Sequence, residues 1–281
     1  MSDQPYNLGL CYAAKRLYYA VGGSGVIHHL GAVDFNFPVS NVLRDGNEEN
    51  FAGLRNAVHK IVQDHSAGLT RIVTAPADEC WTMLPKSVYD QPEERDAYLD
   101  ILMYGYSRNE LHPFWFDITN HDYKLLVVRT KYAMQGYDKL TELNKKAEFC
   151  SDFEVGNYWS SHSANKSSFL TISCMGGLIS VSSYLLGKLR ATTYFRYDDL
   201  SDLPYLWLHC RKTLSWMDGM HDEILIYGHE CEKVTDQLRP YLKNGELRIM
   251  NSFPQMKLES EQQHFSFEIS EAFPAIMLAA N

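Results

Sequence analysis

The residues able to do chemistry in this chain are scattered along it. His28 and His29 are neighbours on a strand-like stretch, so they point to opposite faces and cannot chelate one metal. His221 and His229 flank another strand beside Asp222, Glu223 and Glu230. That set has metal-ligand residue types, but solvated strand ends give the same pattern. Gly22–Val26 reads GGSGV, one residue away from a G-x-S-x-G nucleophile motif. It lies between two strands rather than between a strand and a helix, so a β-turn is the expected reading. Cys11, Cys80, Cys150, Cys174, Cys210 and Cys231 form no C-x-x-C pair, which argues against a zinc ribbon or a dithiol redox motif. Cys11, Cys174 and Cys210 sit among apolar residues as small reduced core side chains, which fits a cytoplasmic protein. The remaining candidates are two hairpin turns, Ala13–Lys15 in NLGLCYAAKRLYYAV and Gly176-Gly177 in FLTISCMGGLISVSSYLLG.

The elements that position these turns follow from periodicity. In the first half, Asn7–Tyr12, Arg16–Gly22 and Val26–Phe35 read as strands. Phe51, Leu54, Val58, Ile61 and Val62 then recur at helical spacing over Phe51–Asp64, and TRIVTAP is a short buried strand. The second half repeats the order. Phe169–Cys174, Leu178–Leu186 and Arg190–Tyr197 are strands. Leu203, Leu206, Trp207, Cys210 and Leu214 predict a helix from about Asp202 to Met217, and EILIYG is a buried strand ending at Gly228. A helix on Val234, Leu238, Tyr241 and Leu242, a strand in LRIMN and a closing helix over Ser270–Ala280 complete it. Three meandering strands, a helical crossover and a parallel strand build a mixed sheet with helix cover, the ribonuclease-H-like core.

Between the halves, MLPKSVYDQPEERDAYLDILMYG reads as a turn and a helix. PFWFDI and YKLLVVRT read as strands joined by TNHD, and KYAMQGYDKLTELNKKA as a helix. A small α+β subdomain inserted at about 85–145 fits, and NYWSSHSANKSS is a polar hinge. The expected division is 1–160 for the first half with its insertion and 161–281 for the second.

Composition limits the function classes. At 281 residues, 45% hydrophobic and 22% charged, the chain is of globular type and can bury a sizeable core. A net charge of −9 without a dense basic run argues against nucleic acid, whose phosphates must be neutralised. No apolar run approaches the roughly 20 residues of a membrane span. The N-terminal MSDQPYNLG has neither the basic nor the apolar region of a signal peptide.

Two such units in tandem resemble the actin-like superfamily. The stretches NLGLCYAAKRLYYAV, WTMLPKSVYDQPEERDAYLDI, FLTISCMGGLISVSS, EILIYGHECEKVTDQL and FSFEISEAFPAIMLAA resemble, by their order and spacing, the PilM-like branch. That branch holds the pilus assembly protein and the cytoplasmic domain of the type II secretion L protein. The resemblance implies an α/β fold of two tandem ribonuclease-H-like halves with a small inserted subdomain. It also implies a nucleotide cleft touching Ala13, Ala14, Lys15, Gly176, Gly177 and Gly228. Family members carry an Asp-x-Gly in the hairpin turns, whose carboxylates position magnesium. Here those positions fall on Cys11 and Ser173, and the glycine-rich loop under the base reads GHECE, matching only at Gly228. Phosphoryl transfer therefore lacks its electrostatic machinery. The expectation is no metal site and no catalytic residue, with ATP binding without hydrolysis left open. A nuclease on one ribonuclease-H-like half is rejected, because Cys11 stands where its first carboxylate belongs.

The resemblance further implies an adaptor at the cytoplasmic face of a bacterial inner membrane, gripping a cytoplasmic peptide of a bitopic membrane protein. A groove or a sheet edge would hold the peptide. The aromatic density of HPFWFDITNHDYKLLVV nominates Trp115, Phe116, Tyr123 and Tyr132. Two alternatives stay open. One is an ATP-binding kinase-like enzyme using displaced acids among Asp34, Asp78, Asp117 and Asp198; the other is a self-assembling or homodimeric actin-like protein.

Overall fold

The computed structural model describes residues 6–119, 122–142, 146–163, 168–242, 245–253, 256–259 and 265–281. Asn120 and His121 of the expected TNHD turn, and residues 164–167 of the expected hinge, lie outside them.

The first lobe opens with strands β1 (Asn7–Ala13), β2 (Arg16–Gly23) and β3 (Val26–Asp34), then helices α1 (Val39–Asp45) and α2 (Glu48–Asp64), and strand β4 (Leu69–Thr74). Asn47 caps α2, accepting from the backbone N–H groups of Glu49 and Asn50, and Glu48 and Glu49 sit in its first turn. Both features favour a helix start. The insertion follows: β5 (Glu79–Pro85), α3 (Lys86–Tyr89), α4 (Pro92–Leu102), β6 (Leu111–Asp117) and β7 (Tyr123–Thr130). The chain returns through α5 (Gln135–Thr141) and β8 (Ala147–Ser151), and α6 (Glu154–His162) leads to the second lobe. There β9 (Phe169–Cys174), β10 (Leu178–Leu185), β11 (Lys188–Arg196), α7 (Leu203–Thr213), β12 (Glu223–Gly228), α8 (Cys231–Leu238) and β13 (Glu246–Ile249) follow in turn. Strand β14 (Lys257–Leu258) and helix α9 (Phe273–Ala280) close the order.

The two main sheets share one topology. The first runs β14-β3-β2-β1-β4-β8 and the second β11-β10-β9-β12-β13. In each, the opening strand is antiparallel to the second and parallel to the strand after the crossover. The fold is therefore α/β, with two ribonuclease-H-like halves and mixed sheets as expected. The insertion carries a separate antiparallel sheet, β5-β7-β6. It begins at Glu79, ahead of the expected 85. The α5 residues Tyr137 and Leu140 pack not on it but into the core under α1 and α2.

Strand alternation divides the core into three layers. Leu8, Leu10 and Tyr12 face α1 and α2 on the outside of the first sheet. Leu170, Ile172 and Cys174 face α7 and α8 outside the second. The inward residues of both sheets share a single core with α6 and α9. All eight residues of α9 are buried, as an all-apolar helix must be, and Pro274 occupies its first turn, where no N–H is missed.

The C-terminal segment does not stay with the second sheet. Helix α9 lies against β1 and β2, and β14 pairs with β3. Arg71 donates to the Leu278 carbonyl at 3.1 Å. A boundary near residue 160 thus assigns to the second half a segment packed on the first. Gly9 permits this: a Cβ there would stand 2.0 Å from the Ala275 carbonyl oxygen. The first half of the expected hinge, residues 157–162, belongs to helix α6, with Trp159 buried between the lobes.

Candidate functional site

The two hairpin turns meet between the lobes. Ala14, at φ 49°, forms the first turn, and Gly176 and Gly177, at φ 70° and 81°, form the second. The Cβ position of Gly176 lies 4.0 Å from the Ala14 Cβ and 3.5 Å from the His229 Cδ2. Each turn is fastened from behind. Val39 N–H donates to the Ala14 carbonyl, Phe35 N–H to that of Lys15 and Tyr197 N–H to that of Gly177. Gly228, at φ 98°, lets β12 close on β9; a Cβ there would meet the Cys174 carbonyl oxygen at 2.2 Å. The next residue, His229, donates its N–H to that same carbonyl. Its Nδ1 bonds to Glu271 at 3.0 Å. That hydrogen bond raises the His229 pKa against the opposing pull of burial.

Two cavities adjoin this contact. The larger, about 570 Å³, is lined by Gly228, Glu230, Lys233, Phe265, Phe267 and Glu271 among others. The smaller, about 330 Å³, is bordered by Tyr12, Ala14, Arg44, Met175, Gly176 and Arg196 among others. Ala13 is buried and lines neither, and Lys15 is exposed.

Alternation puts Cys11 and Ser173 on the inward faces of their sheets, beneath the turns. Cys11 donates its thiol to the Glu271 carbonyl at 3.7 Å, and burial pushes its pKa up to about 12, so it carries no thiolate at neutral pH. Ser173 Oγ donates to Asp152 at 2.8 Å. Asp152, just past β8, is 1% exposed, and burial pushes its carboxyl up to about 6. It is an interior acid held by a neighbouring hydroxyl, out of reach of solvent. No sequence signal marks it, because a lone acid between Ser151 and Phe153 makes no spacing pattern. Neither the His229–Glu271 pair nor the link from Cys11 to Glu271 was visible, since both join segments far apart in the chain.

The four acids nominated from the sequence do not converge on the cleft. Asp34 pairs with Arg16 at the surface and Asp117 with Lys124. Asp78 is buried and bonded to Arg44 at 2.8 Å, and Asp198 is exposed. His221 is buried against Ser183, apart from His229, so the imagined metal cluster does not form. Among the described residues no group of three His, Cys, Asp or Glu side chains can hold a metal ion.

Comparison with solved structures decides the architecture. The PilM–PilN type IV pilus biogenesis complex superposes with a TM-score of 0.70 over 98% of this chain and 96% of the other, at 12% identity. The chain has the actin-like ATPase fold. A Bacteroides thetaiotaomicron protein with actin-like ATPase fold and unknown function gives 0.55 at 18% identity, covering 88% of this chain and 94% of that one. The cytoplasmic domain of EpsL, an inner membrane component of the Vibrio cholerae type II secretion system, gives 0.52 at 10% identity over 98% and 95%. No protein-family model matches the sequence, and no curated protein matches it.

Within this actin-like frame, the four aromatic residues nominated for partner binding separate. Trp115 stacks edge-on against Tyr89 on the α4 side of the inserted sheet. Its neighbour Phe116 turns the other way, onto Phe153 in the core between the lobes. Strand alternation forces this split. Tyr123 lines a groove of about 300 Å³ with Met83, Ile118, Arg190, Ala191 and Trp216, between the insertion and the second lobe. Tyr132 is exposed and lines no part of it. The insertion is tied to the main lobe by the buried pair Glu79–Arg129 at 2.7 Å, to which Thr74, Ser151 and Trp81 add hydrogen bonds. It reaches the second lobe where Thr119 N–H donates to the Leu189 carbonyl. Among the described residues, no helix is long and apolar enough to cross a membrane.

Proposed function

We propose that this chain is a non-catalytic actin-fold adaptor that grips a cytoplasmic segment of a membrane-embedded partner in a pilus- or secretion-type assembly, at the inner face of the membrane. The observation that carries this reading is the close approach of the Ala14 and Gly176 turns, beside His229 and above Cys11 and Ser173, where magnesium-positioning acids would stand. Phosphoryl transfer depends on metal ions and positioned charge. Asp152 is sealed against Ser173, Glu271 is engaged by His229 and Glu230 by Lys233, while Glu232 and Glu268 line the adjoining cavity. The likeness in fold to the PilM–PilN complex and the EpsL cytoplasmic domain supports a role in binding over one in turnover.

The test is a pair of measurements on the full chain. Affinity capture from detergent-solubilised membranes is expected to recover a bitopic membrane protein, and calorimetry with Mg-ATP is expected to give no binding heat. Magnesium-dependent ATP binding would replace this reading with the ATP-binding enzyme of displaced acids. A homodimer or filament is a separate proposal, read by sedimentation at rising concentration. For the partner's seat, the groove lined by Tyr123 and Trp216 replaces the four-residue aromatic patch. Trp216→Ala is expected to weaken capture more than Trp115→Ala does.

A further inference from the structure

The arginines of this chain differ in how far their nitrogens are engaged. Arg129, Arg16 and Arg108 spend every nitrogen position on named acceptors. Arg44 and Arg196 do not. Arg44, on α1 of the first lobe, donates its Nε to Asp78 at 2.8 Å. Its two Nη groups make no hydrogen bond among the described residues. The Arg196 side chain, at the end of β11 in the second lobe, makes no hydrogen bond or ion pair among the described residues, though its charge reaches Asp78. Both line the cavity of about 330 Å³ beside the touching turns, together with the polar side chains of Tyr12, Ser40 and Asn41.

This is a pre-set geometry. A guanidinium held through Nε by a buried carboxylate has its Nη edge fixed in direction, as planar oxyanion recognition requires. The Asp78 side chain is fully buried and does not itself line the cavity. One carboxylate against two guanidinium groups leaves the cavity a net positive charge, in a chain whose net charge is −9. An occupant that carries a carboxylate matches that charge and the planar guanidinium edge. A glutamate or aspartate side chain has one.

We infer that this cavity is a carboxylate site, in which Arg44 from one lobe and Arg196 from the other clasp an acidic side chain of the segment the chain grips. The identity of the carrier rests on the adaptor reading above; the carboxylate specificity does not. Because the two arginines come from different lobes, occupancy of the site fastens the lobes to each other at the turns.

The test uses a capped glutamate, N-acetyl-glutamate N′-methylamide, and its neutral isostere, the capped glutamine, with the intact chain. The readout is the arginine side-chain NMR resonances. Capped glutamate is expected to shift the Arg44 and Arg196 signals saturably, and capped glutamine to leave them unmoved. Arg196→Ala, at an exposed position that the fold does not use, is expected to weaken binding at least tenfold, and Arg196→Lys less. Equal response to both probes, or no saturable shift, overturns the inference. Free glutarate binding as tightly as capped glutamate keeps a carboxylate site but overturns the peptide as its carrier. ATP competing for the same resonances overturns it in favour of a nucleotide phosphate. If membrane capture succeeds equally with Arg196→Ala, the site fails while the adaptor stands. If capture fails in the native chain while capped glutamate binds, the adaptor fails and the site stands.

Discussion

The two lobes repeat one sheet order yet close against each other differently. Each covers its inward face with one helix brought to unusually close range by a glycine. In the first lobe the glycine is on the strand, with Gly9 letting α9 settle on β1. In the second it is on the helix, with Gly156 of α6 making room for Tyr184 of β10; a Cβ there would stand 2.2 Å from the tyrosine ring. The faces differ too. Gly9, Cys11 and Ala13 make the first dry and small. The second presents buried Thr171, Ser173, Ser180 and Ser182. The lesson is that topology duplicates more readily than chemistry. Polarity has gathered on one side of the junction, and there it serves Asp152, an acid with no access to a ligand.

Substitutions can break this asymmetry. The largest effect is expected for Gly9→Ala, because the new methyl meets backbone rather than a side chain and α9 must move as a unit. We expect a loss of about 4 kcal/mol, read by chemical denaturation. Cys11→Asp would restore an acid to the first turn, but into a dry face already facing Asp152 and Glu271, both of which act on Cys11. An unpaired buried charge there is expected to cost about 3 kcal/mol, with no gain of Mg-ATP binding in calorimetry. Gly156→Ala meets only the far end of a tyrosine, which can shift, and about 2 kcal/mol is expected by the same denaturation assay.

The smallest effect is one of pH. Burial lifts Asp152 to about 6 and Glu154 to about 7, above their values in the unfolded chain. The folded state therefore holds more protons than the unfolded state between those limits, and stability falls as pH rises from about 4 to about 7. Asp152→Asn removes one of the two acids. Its Tm profile is expected to be flatter over that window, because one of the two groups that hold the extra protons is gone. A steeper slope in the variant would show that Asp152 is charged in the native protein.

Much of the fold was legible because alternation is local. The opening hairpins, β4, β9 and β12 declare themselves by apolar residues at every second position or in short runs. What was missed fails for stated physical reasons. Strand β5 places Glu79 and Thr82 among its residues, and those two read as polar chain until Arg129 and Tyr98 are seen to meet them. Helix α6 looked like a hinge because Ser160, Ser161 and His162 dilute its apolar pattern, though Trp159 seats it between the lobes. Helix α1 has only seven residues, too few for a period to show. In the cleft, the turns and the missing acids could be read by position. The closure by His229, the burial of Asp152 and the paired arginines could not, because each depends on which distant segments the topology brings together.

The return of α9 to the first sheet has a consequence for how the molecule is made. The second sheet is continuous in the chain from β9 to β13, so it can assemble as soon as it leaves the ribosome. The first cannot, because the helix that covers β1 and β2 is translated after the entire second lobe. Until then the emerging chain exposes the apolar inward face of three finished strands, a surface that invites chaperone attention or wrong pairing. Refolding of the isolated first-lobe strands should therefore be aggregation-prone. The last helix acts as the fastening step that commits both lobes at once.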